Sequence, residues 1–186
     1  MKQHNSIISL IVGTIVLTVI FGTIYAVGQQ ILRLSANYPQ IQIAQDSALQ
    51  LENGAVPAVI VSASTVNIAD SLAPFSIIYD SNLNPLASSA ILNGKVPMLP
   101  KGVFENAKAR GENRITWQPQ AGVRIAAVIT YYEKGGVSGY VASGRSLREV
   151  EKLEDWVFDL AAWGWFISFA FFAIIIVLKK KLYPTQ

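Results

Sequence analysis

The residues able to do chemistry are few and of limited types. The chain has a single histidine, His4, and no cysteine. A Ser-His-Asp triad, a histidine metal site, a disulfide and a cysteine nucleophile are therefore excluded from the body of the protein. No phosphate-binding loop, dinucleotide glycine motif or zinc spacing occurs. A serine–lysine dyad would need one of several common serines to lie beside a lysine, the candidates being Ser62, Ser64, Ser88 and Ser89 with Lys95 or Lys101. We expect no enzyme activity and no cofactor.

One short motif has the spacing of a cation site. Asp80, Asn82 and Asn84 match the first ligands of a calcium loop, in which side-chain oxygens converge on the ion. Pro85 stands where such a loop has glycine, and Ile91 stands where it has glutamate. Asp and Asn are also common hairpin-turn residues. The sequence therefore favours a turn, and we expect no metal.

Aromatic and polar side chains alternate with apolar ones along the predicted strands. The aromatic residues either pack in a core or form the wall of a ligand cavity, and they are Trp117, Tyr131, Tyr132 and Tyr140. In residues 123–132 one face carries Val123, Ile125, Ala127, Ile129 and Tyr131, and the other carries Arg124, Ala126, Val128 and Thr130. On neighbouring strands Ser76, Arg114 and Thr116 alternate with apolar residues in the same way.

Two uncharged apolar runs lie near the ends of the chain. Residues 7–27 and 160–178 contain no charge, and each is long enough as a helix to cross a hydrocarbon core of about 30 Å. The first run is longer than the apolar part of a cleaved signal peptide, so it is expected to stay as an anchor. The sequence thus predicts membrane helices at 7–27 and 157–178.

The charges predict the orientation of these helices. The chain is only 15% charged, with a net charge of +3 that comes from Lys2 and Lys179–Lys181 less Asp159. Residues 28–156 carry equal numbers of basic and acidic side chains, so nothing favours nucleic acid. The positive-inside rule predicts cytoplasmic tails at 1–6 and 179–186, with 28–156 outside the cell membrane. The lysines also favour contact with membrane lipid.

The central segment is predicted to be an α+β domain. Its order is a long N-terminal helix interrupted near Pro39, a hairpin, a short helix over 102–110, three antiparallel strands and a helix returning to the membrane. The returning helix is predicted to begin with a capping box, Ser146 and Glu149. The fold class is therefore α+β, with two transmembrane helices flanking an extracytoplasmic antiparallel sheet.

This order and three segments carry a resemblance, namely PFSIIYDSNLNPLASS, RITWQPQAGVRIAAVITYY and GYVASGRSLREVEK. The chain resembles the single Cache (PAS-like) extracytoplasmic sensor domains of histidine kinases and chemoreceptors over residues 28–156. Such receptors continue into an output domain, whereas here the sequence ends eight residues after Leu178.

The resemblance implies that one sheet face packs on the long helix and that a loop roofs the other, with the ligand beneath the loop. On that basis the face with Arg124 is the pocket candidate, and Arg124 would bind a small carboxylate. The alternative is that Arg124 lies in solvent at the rim of the sheet. The candidate ligand-binding residues are Ser76, Arg114, Thr116, Arg124, Thr130 and Tyr140.

Small residues recur every fourth position in the first predicted span. They are Thr14, Thr18, Gly22 and Ala26, and Gly164 and Ser168 repeat the spacing in the second span. Ridges of this kind let membrane helices approach closely. We expect the ridge to pack in a homodimer, with a membrane partner protein or the chain's own second span as alternatives.

Two functions remain open at this stage. The first is a membrane-anchored extracytoplasmic sensor that passes a signal laterally to a separate partner. The second is an accessory or scaffold subunit whose outer domain recognises a protein.

Overall fold

The computed structural model describes residues 2–182. Residue 1 and residues 183–186, which belong to the expected cytoplasmic tails, lie outside the described residues. The fold is α+β, as predicted, with two long apolar helices and an antiparallel sheet. The helices are α1 (Lys2–Ser35), α2 (Tyr38–Glu52), α3 (Pro57–Ile60), α4 (Lys101–Arg110) and α5 (Arg148–Leu182). The strands are β1 (Val66–Asn67), β2 (Phe75–Asp80), β3 (Pro85–Ser88), β4 (Ala90–Ile91), β5 (Glu112–Gln120), β6 (Val123–Lys134) and β7 (Val137–Ser146).

The chain divides into two compact units. One contains the residues up to Arg33 and those from Glu151 onward, and the other is Leu34–Val150. The sequence analysis has two helices flanking the sheet domain. That arrangement is wrong, because α1 and α5 lie together in one unit. Glycines on each helix stand opposite bulky residues of the other, which lets the two pack closely together.

Short connections join the elements at both borders of the sheet unit. Helix α1 ends at Ser35 and α2 begins at Tyr38, with Pro39 in its first turn. Proline cannot supply the backbone N–H that a helix interior needs, so the predicted interruption falls here. Helix α5 follows β7 after one residue, and the Arg148 N–H donates to Ser146 Oγ at 3.3 Å. Ser146 thus accepts from the first turn of α5, whereas the return contact of Glu149 in the predicted capping box stays a prediction.

The main sheet has the strand order β3-β2-β7-β6-β5 and is antiparallel throughout. The hairpin β2–β3 and the meander β5–β6–β7 occupy the predicted places. A two-residue parallel pair, β1–β4, was not predicted. Strands this short have no periodicity, and their pairing depends on residues far apart in the sequence.

The two faces of the sheet bury separate apolar clusters. Helix α2 covers one face with Ala44, Ala48 and Leu51, which pack on Ile78, Val128, Tyr132 and Val141. Helix α4 and the segment before it cover the other face, where Phe104 and Leu99 pack on Phe75, Ile77, Trp117, Ile125 and Ile129. At about 25 cal/mol per Å² of apolar surface removed from water, these two layers hold the unit together.

Gly139 of β7 lies too close to its neighbours to accept a side chain without a shift. A Cβ there would overlap the carbonyl oxygen of Tyr79 and the ring of Tyr132. We expect Gly139→Ala to lower the free energy of unfolding by about 1–3 kcal/mol, as overpacking does. The measurement is thermal unfolding of the full chain in detergent, followed by circular dichroism.

The matched control is Gly102→Ala in α4, where a Cβ would meet no described atom within 4 Å. Alanine is the better helix former, so this variant should be as stable as the parent or slightly more so. Equal stability of the two variants would contradict the close approach at Gly139.

Candidate functional site

Five of the six candidate binding residues lie on one face of the sheet. The register pairs Arg114 with Val128 and Thr116 with Ala126, and it places Thr130 beside Val141. Ser76 pairs with Ser143, which in turn pairs with Val128. Arg124 precedes this series on the same face of β6. Tyr140 is separate, because it pairs with Tyr79 and packs on the opposite face.

This face is covered by α2, and not by the loop as the resemblance implied. Val128 and Tyr132 pack on Ala44 and Ala48 of α2. The alternation of residues 123–132 was correct, but strand alternation does not say which of two faces a helix covers. The expectation of a loop-roofed pocket on the Arg124 face is therefore wrong in its geometry, and ligand binding by these residues stays a prediction.

Polar groups are enclosed between α2 and the sheet. Gln40 is completely buried, and within residues 2–182 neither its Oε1 nor its Nε2 has a hydrogen-bond partner. The buried Oγ1 of Thr130 also has no partner there. Ser143, by contrast, donates to the Phe75 carbonyl at 3.2 Å. An enclosed polar group without a partner is costly, so Gln40 and Thr130 stand out from their surroundings.

The rim of the same face is held by charged and amide groups. Arg114 Nε donates to Glu112 Oε1 at 2.5 Å, and Gln45 of α2 donates to Glu112 Oε2 at 3.0 Å. At the other end of α2, Lys134 donates to Asn53 at 3.1 Å. These contacts fix α2 against β5 and β6. They also engage Arg114 with an anion of the chain itself, while Arg124 lies exposed near the start of β6.

The opposite face is filled with aromatic side chains. The Phe104 ring of α4 packs edge-on against Tyr79 and Tyr140, with centroids 5.0 and 5.2 Å apart. Tyr131 continues the series at 5.4 Å from Tyr140. Burial raises the pKa of Tyr79, whose hydroxyl reaches only the Pro97 carbonyl at 3.4 Å. The core-packing alternative is confirmed for Trp117, Tyr132 and Tyr140, which are buried.

The Asp80 motif is a turn, as favoured. Asp80 Oδ1 accepts from the backbone N–H groups of Asn82 and Asn84 at 2.9 and 2.7 Å, and Oδ2 accepts from the Asn84 amide at 2.9 Å. The Asn84 side chain and these backbone donors hold the pKa of Asp80 below its ordinary value. Both carboxylate oxygens are thus used within the turn. Residues 2–182 contain no cluster of His, Cys, Asp or Glu suited to a metal.

Three of the four serine hydroxyls considered for a dyad, those of Ser62, Ser88 and Ser89, have structural partners. Ser89 accepts from the Ser76 N–H at 3.0 Å, and Ser88 donates to the Ala90 carbonyl at 3.0 Å. Ser62 accepts from the Ser64 N–H at 3.2 Å. Lys95 and Lys101 are exposed. These hydroxyls stabilise the strands and loops around them.

Two arginines at the end of the sheet hold the segment between β1 and β2. Arg148 donates to the carbonyls of Ala69 and Asp70 at 2.6 and 3.4 Å, and Arg145 donates to that of Leu72 at 3.1 Å. Sequence analysis did not single these residues out. Carbonyl binding by arginine leaves no spacing motif, so no sequence signal could have identified it.

Helices α1 and α5 form an antiparallel pair. Going along α1, Gly13 faces Phe172, Phe21 faces Gly164, and Tyr25 packs on Phe158 with ring centroids 5.5 Å apart. Trp165 Nε1 donates to Thr18 Oγ1 at 3.0 Å. Arg33 and Glu154 form an ion pair at 2.9 Å, which raises the pKa of Arg33. As the residue number rises along α1, the number of its partner on α5 falls, so the two helices stay in contact from Gly13 to Arg33.

The predicted small-residue ridge is divided between two environments. Thr18 and Gly164 take part in the contact between α1 and α5. A Cβ on Gly22 would meet no described atom within 4 Å, and Ala26 is exposed. Thr14 is partly buried and donates to the Leu10 carbonyl at 2.8 Å, while Ser168 lines an apolar cleft beside Gly13. Gly13, Gly28 and Phe21, which lie in the contact, were missed because the spacing within one helix does not reveal its partner.

Two comparisons with known proteins add nothing to this description. No protein-family model matches the sequence, and no curated protein matches it either.

We expect Gly13→Leu and Gly164→Leu to weaken the contact between α1 and α5 by about 1–3 kcal/mol, because each side chain would overlap a phenylalanine ring. The readout is disulfide formation in membranes between Gly28→Cys and Val157→Cys. A Cβ on Gly28 would stand 3.1 Å from Val157 Cγ1, which suits a disulfide. The chain has no other cysteine.

The matched control is Gly22→Leu, which faces open space and should leave this intramolecular disulfide unchanged. Equal disulfide yields in all three leucine variants would rule out the described pairing. A homodimer through the open part of the ridge stays a prediction, for which Gly22→Leu is the test when cysteines at Thr18 or Ala26 report cross-links between chains.

Proposed function

We propose that the protein is a membrane-anchored sensor. Helices α1 and α5 cross the cell membrane, both termini are cytoplasmic, and the sheet unit lies outside as a Cache-like ligand-binding domain. A small polar molecule bound by this domain shifts one membrane helix relative to the other. The shift is passed laterally to a partner protein in the membrane.

The exposure of the long helices supports the membrane anchor. Two helical stretches, Ile7–Glu52 and Arg148–Lys179, contain 18-residue windows of mean hydropathy 2.6 and 2.3, and none of either window is buried within the protein. Apolar surface of that size in water would be an aggregation hazard, whereas in lipid it is solvated. The antiparallel pairing supports two crossings with both termini on one side. The lysines near both ends favour the cytoplasm.

The observation that carries the signalling part is the shortness of both connections to the sheet unit. Two residues separate α1 from α2, and one residue, Leu147, separates β7 from α5. The Leu147 N–H is itself bonded to the Arg124 carbonyl at 2.8 Å. These short connections support transmission of a displacement of α2 or β7 along the chain to the helix attached to it. The element order supports the Cache-like assignment.

A scaffold subunit is the second candidate, and the aromatic layer favours it. Phe104, Tyr79 and Tyr140 fill the space beneath α4, on the sheet face opposite Arg124. A domain with that face filled would recognise a protein by its surface. The binding residues on the α2 face, Arg124 among them, distinguish the sensor from this alternative.

One screen separates the two candidates. The full chain in detergent is heated with amino acids, small amides and organic acids, since a ligand at 100 times its Kd adds about 2.7 kcal/mol of stability. A saturable rise in the unfolding midpoint supports the sensor. No rise with any compound, together with a stoichiometric protein partner recovered in mild detergent, would replace it by the scaffold.

The topology has its own test. A reporter enzyme that works only outside the membrane should be active when inserted in the exposed turn at Asn82–Asn84, and inactive when fused after Gln186. The reason is the balance of lysines near the two ends of the chain. The opposite pattern of activity would overturn the orientation.

A further inference from the structure

A buried carboxamide stands out in the interface between α2 and the sheet. Gln40 lies one helical turn before Ala44 and two before Ala48, so it continues the stripe that packs on the sheet. Its side chain is completely buried, and neither amide atom has a partner among the described residues. A glutamine offers two donors and an acceptor, and enclosing them without partners is costly.

A second polar group of the same interface is also buried without a hydrogen-bond partner. Thr130 lies on β6 between Val128 and Tyr132, both of which pack against α2. Its hydroxyl oxygen is buried and has no partner within residues 2–182. Native proteins rarely leave such groups unpaired, so two of them in one interface point to a hydrogen-bonding occupant.

We propose that Gln40 and Thr130 recognise a small neutral ligand with both donor and acceptor groups, of the primary amide class, between α2 and the sheet. The proposal rests on the sensing function and specifies the ligand of the same sheet face. The site is linked to the membrane helix along the chain, because α2 follows α1 after two residues.

The charges around this interface argue for a neutral ligand. The buried polar residues of the described chain are Gln40, Ser47, Ser89 and Ser143, and none of them is charged. Of the two candidate arginines on the same face, Arg114 is paired with Glu112, and Arg124 is exposed rather than enclosed in the interface. A carboxylate enclosed beside Gln40 would lose its hydration without gaining a cation, whereas an amide would gain hydrogen bonds on both sides.

The test compares isosteric pairs of probes that differ in charge. Acetamide and propionamide, against acetate and propionate, are titrated into the full chain in detergent while the unfolding midpoint is followed. We expect a saturable rise of a few degrees with the amides and none with the carboxylates. Gln40→Leu and the isosteric Thr130→Val should both lose the rise.

The control is Gln42→Leu, the same substitution on an exposed position of α2, which should keep the amide response. A rise with the carboxylates alone would overturn the amide proposal and leave the sensor standing. No rise with amides, while Gln40→Leu changes the midpoint in buffer, would mean that an ordered water alone occupies the place, and it would overturn the proposal too. If Gln40→Leu does not fold, Thr130→Val serves alone, and an amide response that this variant retains would overturn the proposal.

Discussion

The close packing of α2 on the sheet is the contact on which the arrangement of the sheet unit depends. Alanine at positions 44 and 48 lets the helix backbone approach, so that Val128 and Val141 are enclosed between helix and sheet. Any polar group on this face then lies either at the rim or inside. Arg114 and Thr116 are at the rim and exposed, whereas Gln40 and the Thr130 hydroxyl are enclosed. The candidate site is a consequence of this contact.

Local patterns predicted the elements, and contacts between distant residues decided the rest. Alternation identified β5, β6 and β7 because it depends only on neighbours, and Pro39 marked the end of α1 for a local reason. The face covered by α2 could not be predicted, since Arg124 and Val123 alternate identically whichever face is covered. The adjacency of β2 and β7 and the β1–β4 pair join residues far apart in sequence. Gln40 had no sequence signal, because a glutamine in an amphipathic helix is normally exposed.

The positive charges of the sheet unit serve mainly to fix its structure. Arg145 and Arg148 bind carbonyls of the segment before β2, and Arg114 pairs with Glu112. A guanidinium held in this way contributes geometry and costs little, because it keeps most of its contact with water. Arg124 lies exposed, outside the enclosed interface. The face thus has a charged rim and a neutral interior. A carboxylate would bind at the rim, whereas a neutral amide would bind in the interior.

The helix pair leaves one side of α1 open, which bears on assembly. Phe21 and Gly22 both line a cleft beside α5, but they differ in how closely they approach it. Phe21 contacts Gly164 of α5, whereas a Cβ on Gly22 would meet no described atom within 4 Å, and Gly22 shares an open side of α1 with Thr18 and Ala26. The pairing of α1 with α5 therefore does not use up the small-residue ridge. The contact of α1 with α5 therefore leaves room for a further helix against the open side of α1. A shift of α1 against α5 would change the surface that such a helix meets.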